Sequence, residues 1–291
     1  MKKSLFRKTL VFGIIMLFLE MGVIPKIVKE ASANYEEGLV AYWNFDEGNA
    51  SIAYDSSGNN NHGVLYGPSW TTGISGSALE LDGVNDYASV PDSSSLDITD
   101  NITIEAWVYP YSMSWVAPLI SKGTNSSNYG YYLATGQYYA DGCGSFKLHS
   151  NGTKTLWLYS SQPLTTGQWN YVVGVRAGTS ASIYINGMIS DAGICFAGPI
   201  QTNDLSVEFG THNDYSVFFH GILDEVRIYN RALTAHEIYN RYTDISSAYI
   251  KDGEPTDTDP INGIPGFDLV IVIVSIVIVM GLSWKHRRLL L

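Results

Sequence analysis

Phe219-His220-Gly221-Ile222-Leu223-Asp224-Glu225-Val226-Arg227-Ile228-Tyr229-Asn230-Arg231-Ala232-Leu233 is the stretch whose pattern decides the fold. Ile222, Asp224, Val226 and Ile228 fall on one face, and Leu223, Glu225, Arg227 and Tyr229 on the other. That is the period of a β-strand. Asn230 and Arg231 end the alternation. Thr234 and Glu237 then make a capping box, with Leu233 and Ile238 spaced as its hydrophobic staple, so a short helix follows to about Tyr242. Asp224 is the one charge on the apolar face. An unpaired carboxylate there is costly, so the pattern predicts hydrogen bonds or a cation at that position.

Working outward, strand patterns recur at 39–45, at 78–90 as two strands around Asp82-Gly83-Val84-Asn85-Asp86, and at 102–109, where Pro110 stops the run. Further strands read at 119–122, 129–134, 145–149, 155–159, 169–176, 182–186 and 207–210. Asn186-Gly187 is a hairpin-turn dipeptide. About a dozen short strands and one terminal helix predict an all-β chain of two packed antiparallel sheets.

These residues carry a resemblance. The run from Gly221 to Leu233 with its Thr-x-x-Glu-Ile helix resembles the C-terminal signature of laminin-G-like jelly-roll domains, in the concanavalin A-like lectin/glucanase superfamily. Gly38-Leu39-Val40-Ala41-Tyr42-Trp43-Asn44-Phe45-Asp46-Glu47 resembles the opening strand, and Asp55-Ser56-Ser57-Gly58-Asn59-Asn60-Asn61-His62-Gly63 the polar loop after it. Leu79 to Tyr87 resembles the next hairpin; Trp169-Asn170-Tyr171-Val172-Val173 and Ile183-Tyr184-Ile185-Asn186-Gly187 resemble the middle pair. The resemblance spans roughly residues 35–242 and implies a jelly-roll sandwich.

It also implies that the first polar loop and the last strand lie close, commonly tied by calcium. Calcium takes six to eight oxygens. The ligands expected on this basis are Asp55, Asn60 and Asp224, with Asp46 or Glu47 as a fourth. The residues themselves equally allow Asp55 to form an Asx-turn and Asp224 to bond backbone amides. Jelly-roll lectins bind sugars on a concave sheet face or on rim loops, so the resemblance points to a polysaccharide or glycoprotein partner. Tyrosines crowd 129–139, with Trp157 and Tyr159 nearby, and Tyr131, Tyr138 and Tyr139 are the expected ligand-binding residues. Half-buried strand positions account for the same tyrosines.

No motif supports catalysis. Glu80-x-Asp82 matches part of the Glu-x-Asp-x-x-Glu strand of superfamily glucanases, but the closing Glu is missing. His236-Glu237 lacks the second His of a zinc-protease helix, and no G-x-S-x-G occurs. The expected role is a non-catalytic binding or adhesion module. A structural cell-envelope protein and a divergent glycosidase are the alternatives.

The ends read as addresses. Lys2, Lys3, Arg7 and Lys8 precede an apolar run, and Ala31-Ser32-Ala33 offers a cleavage site, so 1–33 reads as a secretory signal. The sandwich is expected over 34–250 and an acidic linker over 251–264. Over 265–291 a transmembrane anchor carries a basic tail. The apolar run 269–284 is about 24 Å long as a helix. Lys285-His286-Arg287-Arg288 follow it, which places the C-terminus in the cytoplasm and the body at the cell surface. Pro265-Gly266-Phe267 resembles the C-terminal sorting signals of some archaeal surface proteins; a plain stop-transfer helix is the simpler reading.

Between these ends lie eight basic and 25 acidic residues, a net charge of −17. Such a surface repels nucleic-acid phosphates and anionic lipids. Cys143 and Cys195 fall in the exported part. The expectation is one bridge closing a loop of about 50 residues, contributing about 4 kcal/mol on the chain-entropy account; two buried thiols are the alternative. Asn49, Asn101, Asn125 and Asn151 each begin an N-x-[ST] sequon.

Overall fold

The computed structural model describes residues 36–113, 116–124, 130–137, 140–150 and 155–251. The chain divides into two compact units, residues 1–249 and 250–291. The expected signal, most of the linker and the C-terminal span lie outside the described residues. Among the described residues no helix is long and apolar enough to cross a membrane.

Sixteen strands are described. They are β1 (Leu39–Trp43), β2 (Ile52–Ala53), β3 (Gly63–Tyr66), β4 (Ser69–Thr72), β5 (Ser77–Asp82), β6 (Tyr87–Val90), β7 (Ile102–Pro110) and β8 (Ala117–Lys122). Then come β9 (Tyr131–Gln137), β10 (Ala140–His149), β11 (Thr155–Pro163), β12 (Asn170–Ala177), β13 (Ser180–Ile185), β14 (Met188–Ile194), β15 (Val207–Phe209) and β16 (His220–Tyr229), followed by helix α1 (Ala235–Lys251). The first sheet runs β14-β13-β12-β7-β16-β5-β4, with β1 also on β16. The second runs β11-β10-β9-β8-β15-β6-β3-β2. All pairings are antiparallel. The expected two-sheet all-β sandwich is the fold. β2, β3, β4 and β14 are strands that residue patterning did not show.

The core between the sheets takes Ile104, Ala106 and Val108 from β7, Leu133 from β9, Phe146 from β10 and Phe209 from β15. Trp43 and Phe45 meet the Phe209 ring edge-on, at 4.7 and 5.9 Å. Gly174 lets Phe146 lie against β12: a Cβ there would stand 2.3 Å from the ring.

The strand that decides the fold departs from simple alternation. Asp224 pairs with Trp107 of β7, but Arg227, three residues on, pairs with Glu105, two residues back. Glu225, at φ 53°, is the extra residue of a bulge. A one-residue insertion reverses the faces beyond it. Leu223, Val226 and Ile228 therefore all enter the core. The sequence pattern puts Asp224 on the face of Val226 and Ile228; the structure instead puts it on the outer face with Arg227 and Tyr229. The bulge also marks where the outer edge of β16 changes partner, from β5 at Leu223 to β1 at Val226.

Helix α1 covers the outer face of the first sheet. Its capping box forms as expected: Thr234 N donates to Glu237 Oε2 (2.7 Å) and Glu237 N to Thr234 Oγ1 (3.2 Å). Leu233 and Ile238 are both buried. The helix runs nine residues past Tyr242 because Ile245 and Tyr249 continue the apolar stripe. Tyr242 stacks on Trp107 (5.6 Å) and Tyr171 (6.3 Å). Beside these rings lies the fully buried Glu105. It accepts from Tyr171 Oη (2.7 Å) and pairs with Arg227 (3.3 Å) and Arg241 (3.1 Å).

The expected disulfide is not formed; Cys143 and Cys195 are buried thiols. The topology explains why. Cys195 N donates to Thr179 O, at the Ser180 end of β13. Cys143 precedes Gly144, which packs on Ile185 at the other end of that strand. Six strand residues separate the two ends, about 20 Å. A bridge needs Cα atoms within roughly 7 Å.

Removing one partner of a buried ion cluster strands the others. Glu105→Gln should therefore cost about 3–5 kcal/mol in urea unfolding, against about 1 kcal/mol for the cap variant Thr234→Ala. Equal effects of the two substitutions would show that the Glu105 cluster does not hold the helix.

Candidate functional site

The residues expected to hold calcium do not form one oxygen cage. Asp55 is buried, and its carboxylate accepts from Tyr42 N (3.0 Å), Ser57 N (2.8 Å), Ser57 Oγ (2.9 Å) and Asn61 N (2.9 Å). Asn60 is exposed, in the left-handed conformation at φ 61°. The next residue does the bonding: Asn61 Nδ2 donates to Val40 O (3.0 Å), and its carbonyl accepts from Trp43 Nε1 (2.8 Å). Asp224, on the outer face of the first sheet, accepts from Ser75 N (3.2 Å) and Glu225 N (2.8 Å). Burial raises its pKa well above the usual carboxylate range.

Each carboxylate thus folds its own loop by accepting N–H bonds. Among the described residues no group of three His, Cys, Asp or Glu could hold a metal ion. Asp46, in the segment after β1, and Asp224 of the last strand both reach the turn between β4 and β5. Ser75 is held by Asp224, and Ser77 N donates to Asp46 Oδ1 (3.0 Å).

Of the three expected ligand-binding tyrosines, Tyr131 is not at the surface. Tyr131 is buried between the sheets, its hydroxyl donating to Leu96 O (3.2 Å). It shares the inward face with Leu133, both belonging to the core. Tyr138 and Tyr139 lie outside the described residues. Glu80, the residue of the glucanase-like fragment, accepts from Tyr111 Oη (2.7 Å) and Ser69 Oγ (3.3 Å).

Strand pairing reveals a different surface. Val64, Ser89, Glu208, Ser121, Tyr132, Lys147 and Trp157 are successive partners across seven strands, and so form one row on the outer face of the second sheet. Toward β11, Lys147 Nζ sits 4.4 Å over the Trp157 ring, and Tyr159 lies 5.7 Å from Trp157. Burial lowers the Lys147 pKa to about 8. Ser145 shares this face, its hydroxyl buried and without a hydrogen-bond partner among the described residues. Toward β3, Tyr66 stacks on Tyr87 (4.6 Å) and Tyr215 tilts against Tyr87 (5.0 Å). Tyr66 and Tyr215 are 47% and 44% exposed.

The loop 211–218 lies between these two aromatic ends. Thr211 O accepts from Ser121 Oγ (3.1 Å), His212 stacks over Tyr132 (6.0 Å), and Asn213 N reaches Gly123 O (3.1 Å). Beyond the loop, at the end of the sandwich, a cleft of about 570 Å³ opens between Asp82, Val84, Ser112, Ala117, Phe218 and His220.

Two stability measurements check the loop chemistry. Asp55→Ala should destabilise by about 2–4 kcal/mol, because several buried donors lose their acceptor. The urea midpoint of the native chain should be equal in calcium and in EDTA. A midpoint that falls in EDTA would show a metal where amides are drawn.

Comparisons follow the same outline. No curated protein matches the sequence. The binding domain of Paraclostridial Mosquitocidal Protein 1 superposes with a TM-score of 0.58 at 19% identity, covering 72% of this chain and 53% of that one. The botulinum neurotoxin serotype G binding domain gives 0.57 at 18%, with 72% and 51% covered. This chain therefore spans about half the length of those toxin domains. Domain 4 of AbnA, a GH43 extracellular arabinanase from Geobacillus stearothermophilus, solved in complex with arabinotriose, gives 0.56 at 21%, with 69% and 97% covered. Residues 82–239, more than half of the sequence, match Laminin_G_3 of the concanavalin A-like lectin/glucanases superfamily, and the chain belongs to that family.

Proposed function

We propose that this chain is a non-catalytic carbohydrate-binding module whose ligand, a polysaccharide or the glycan of a glycoprotein, lies across the outer face of the second sheet. One observation carries the reading: the two outer faces are not equivalent. Helix α1 seals the first, whereas the second presents Trp157 and Tyr159 at one end and Tyr66, Tyr87 and Tyr215 at the other. Aromatic rings stack on the apolar faces of sugars. One structural neighbour supports the class of ligand, an arabinanase domain solved in complex with arabinotriose.

The module works outside the cell. The basic and apolar N-terminus directs export, and the apolar segment 269–284 with its basic tail tethers the body. The net −17 body is unsuited to nucleic acid. Tethering raises the effective concentration of this face toward a surface polymer.

A glycan array on the full-length chain should return a saturable oligosaccharide ligand. Trp157→Ala and Tyr159→Ala should each raise its Kd about tenfold, equivalent to about 1.4 kcal/mol. Unchanged affinity in the double variant would exclude this face.

A further inference from the structure

The cleft at the end of the sandwich is distinct from the aromatic ends of the sheet face, although the 211–218 loop borders both. Its walls are the 82–86 turn, the segment after β7 and the residues leading into β16. Its volume, about 570 Å³, falls in the range of small-molecule sites, roughly 300–1,000 Å³. Ala117, Val217 and Phe218 supply an apolar side; Asp82, Ser112 and His220 supply the polar one.

The polar groups are fixed before any ligand arrives. His220 and Asp82 are direct cross-strand partners of β16 and β5. Asp82 Oδ1 accepts from Val84 N (2.8 Å) and Asn85 N (3.3 Å), which anchors the carboxylate on its own turn. These amides hold its pKa below the usual range, so it is ionised at neutral pH. Ser112 Oγ lies 3.3 Å from His220 Nδ1. Gly83, at φ 75°, makes the close approach of turn and histidine feasible: a Cβ there would stand 2.7 Å from His220 Cβ.

Tyr111 and Tyr215 each adjoin a lining residue in sequence without lining the cleft themselves. Tyr111 is 41% exposed and meets His220 edge-on at 5.2 Å. Tyr215 opens the Ser216–Phe218 wall with its backbone at φ 51°, a conformation that a bulky residue adopts only under strain. Such strain concentrates at functional sites.

We infer that this cleft is a second, independent binding site, for one neutral sugar residue. A pyranose ring has an apolar C–H face and an edge of hydroxyls. The carboxylate accepts two of those hydroxyls and the imidazole one more, while the apolar wall takes the C–H face. An acidic ligand is disfavoured, because the lining holds a carboxylate and no Lys or Arg, and Asp86 adjoins it. With the sheet face also occupied, one domain would hold a long polymer at two points, and avidity would exceed either affinity.

Saturation-transfer NMR on the full-length chain tests this, with neutral mono- and disaccharides as methyl glycosides, glucuronic acid, and an oligolysine peptide as probes. The expected result is binding of a neutral glycoside that weakens about tenfold in His220→Ala and in Ser112→Ala. It should stay within about twofold in Trp157→Ala/Tyr159→Ala. His220 is exposed, and equal urea midpoints would confirm that its variant folds. Glycoside binding lost only in the tryptophan–tyrosine variant would overturn the second site and leave the sheet-face reading standing. Preference for glucuronic acid or oligolysine would overturn the ligand class. Absence of binding by any probe would overturn the site itself, and loss of array binding as well would overturn both readings.

Discussion

Everything in the first sheet leans on one buried carboxylate. Glu105 of β7 receives a hydroxyl from β12, a guanidinium from β16 and another from α1. Three separate elements thus converge on a strand that has no exposure at that point. A lone ion there would be prohibitively desolvated, so the fold is complete only when all its partners arrive. Arg227 extends the cluster outward. It pairs with Glu225, which accepts from Tyr42 Oη (3.0 Å), and its guanidinium lies 3.8 Å over the Tyr42 ring. The opening strand is thereby tied to the closing one by charge as well as by the ladder.

That closure decides where a ligand can go. With α1 laid over Trp107, Tyr171 and Tyr229, the first sheet is buried on both faces and offers nothing to solvent at its centre. Among the described residues no helix covers the second sheet. Its outer polar groups are partly roofed by the loop 211–218. Under that roof Glu208 accepts from Ser89 Oγ (2.8 Å), and burial raises its pKa. The aromatic ends of the face remain open on either side.

The sequence made the fold legible because the signal was local. The β7 alternation, the hairpin turn at Asn186-Gly187 and the Thr234–Glu237 cap each depend on a few adjacent residues. The positions that misled depend on one extra residue or on distant neighbours. Glu225 in a left-handed conformation moves Asp224 from the core face to the outer face, and nothing in the residue type announces that bulge. Tyr131 and Tyr132 are chemically alike, yet register places the first in the core and the second outside. Asn60 and Asn61 differ likewise: one turns the chain, the other holds it. The cysteines failed for a topological reason, since sequence spacing carries no information on which end of a strand each residue occupies. The cleft was half legible. Asp82-Gly83-Val84-Asn85-Asp86 could be read as a turn, but the arrival of His220 opposite Asp82 requires the β5–β16 pairing.

Rigidity links the cleft to the sheet face. Phe219 N bonds Gly210 O (2.8 Å) and closes the base of the 211–218 loop, Thr211 Oγ1 bonds Val217 O (2.8 Å) inside it, and Ser216 Oγ bonds Asp214 (2.8 Å). A loop stitched at its base and its interior has little conformational entropy left to lose, so Tyr215 on one side and Phe218 on the other are held in place. Phe218 lies 6.5 Å from the Tyr87 ring while also lining the cleft. One short, strained loop therefore supplies a wall to both surfaces. Its conformation, rather than the chemistry of any single residue, sets the angle between the sheet face and the cleft.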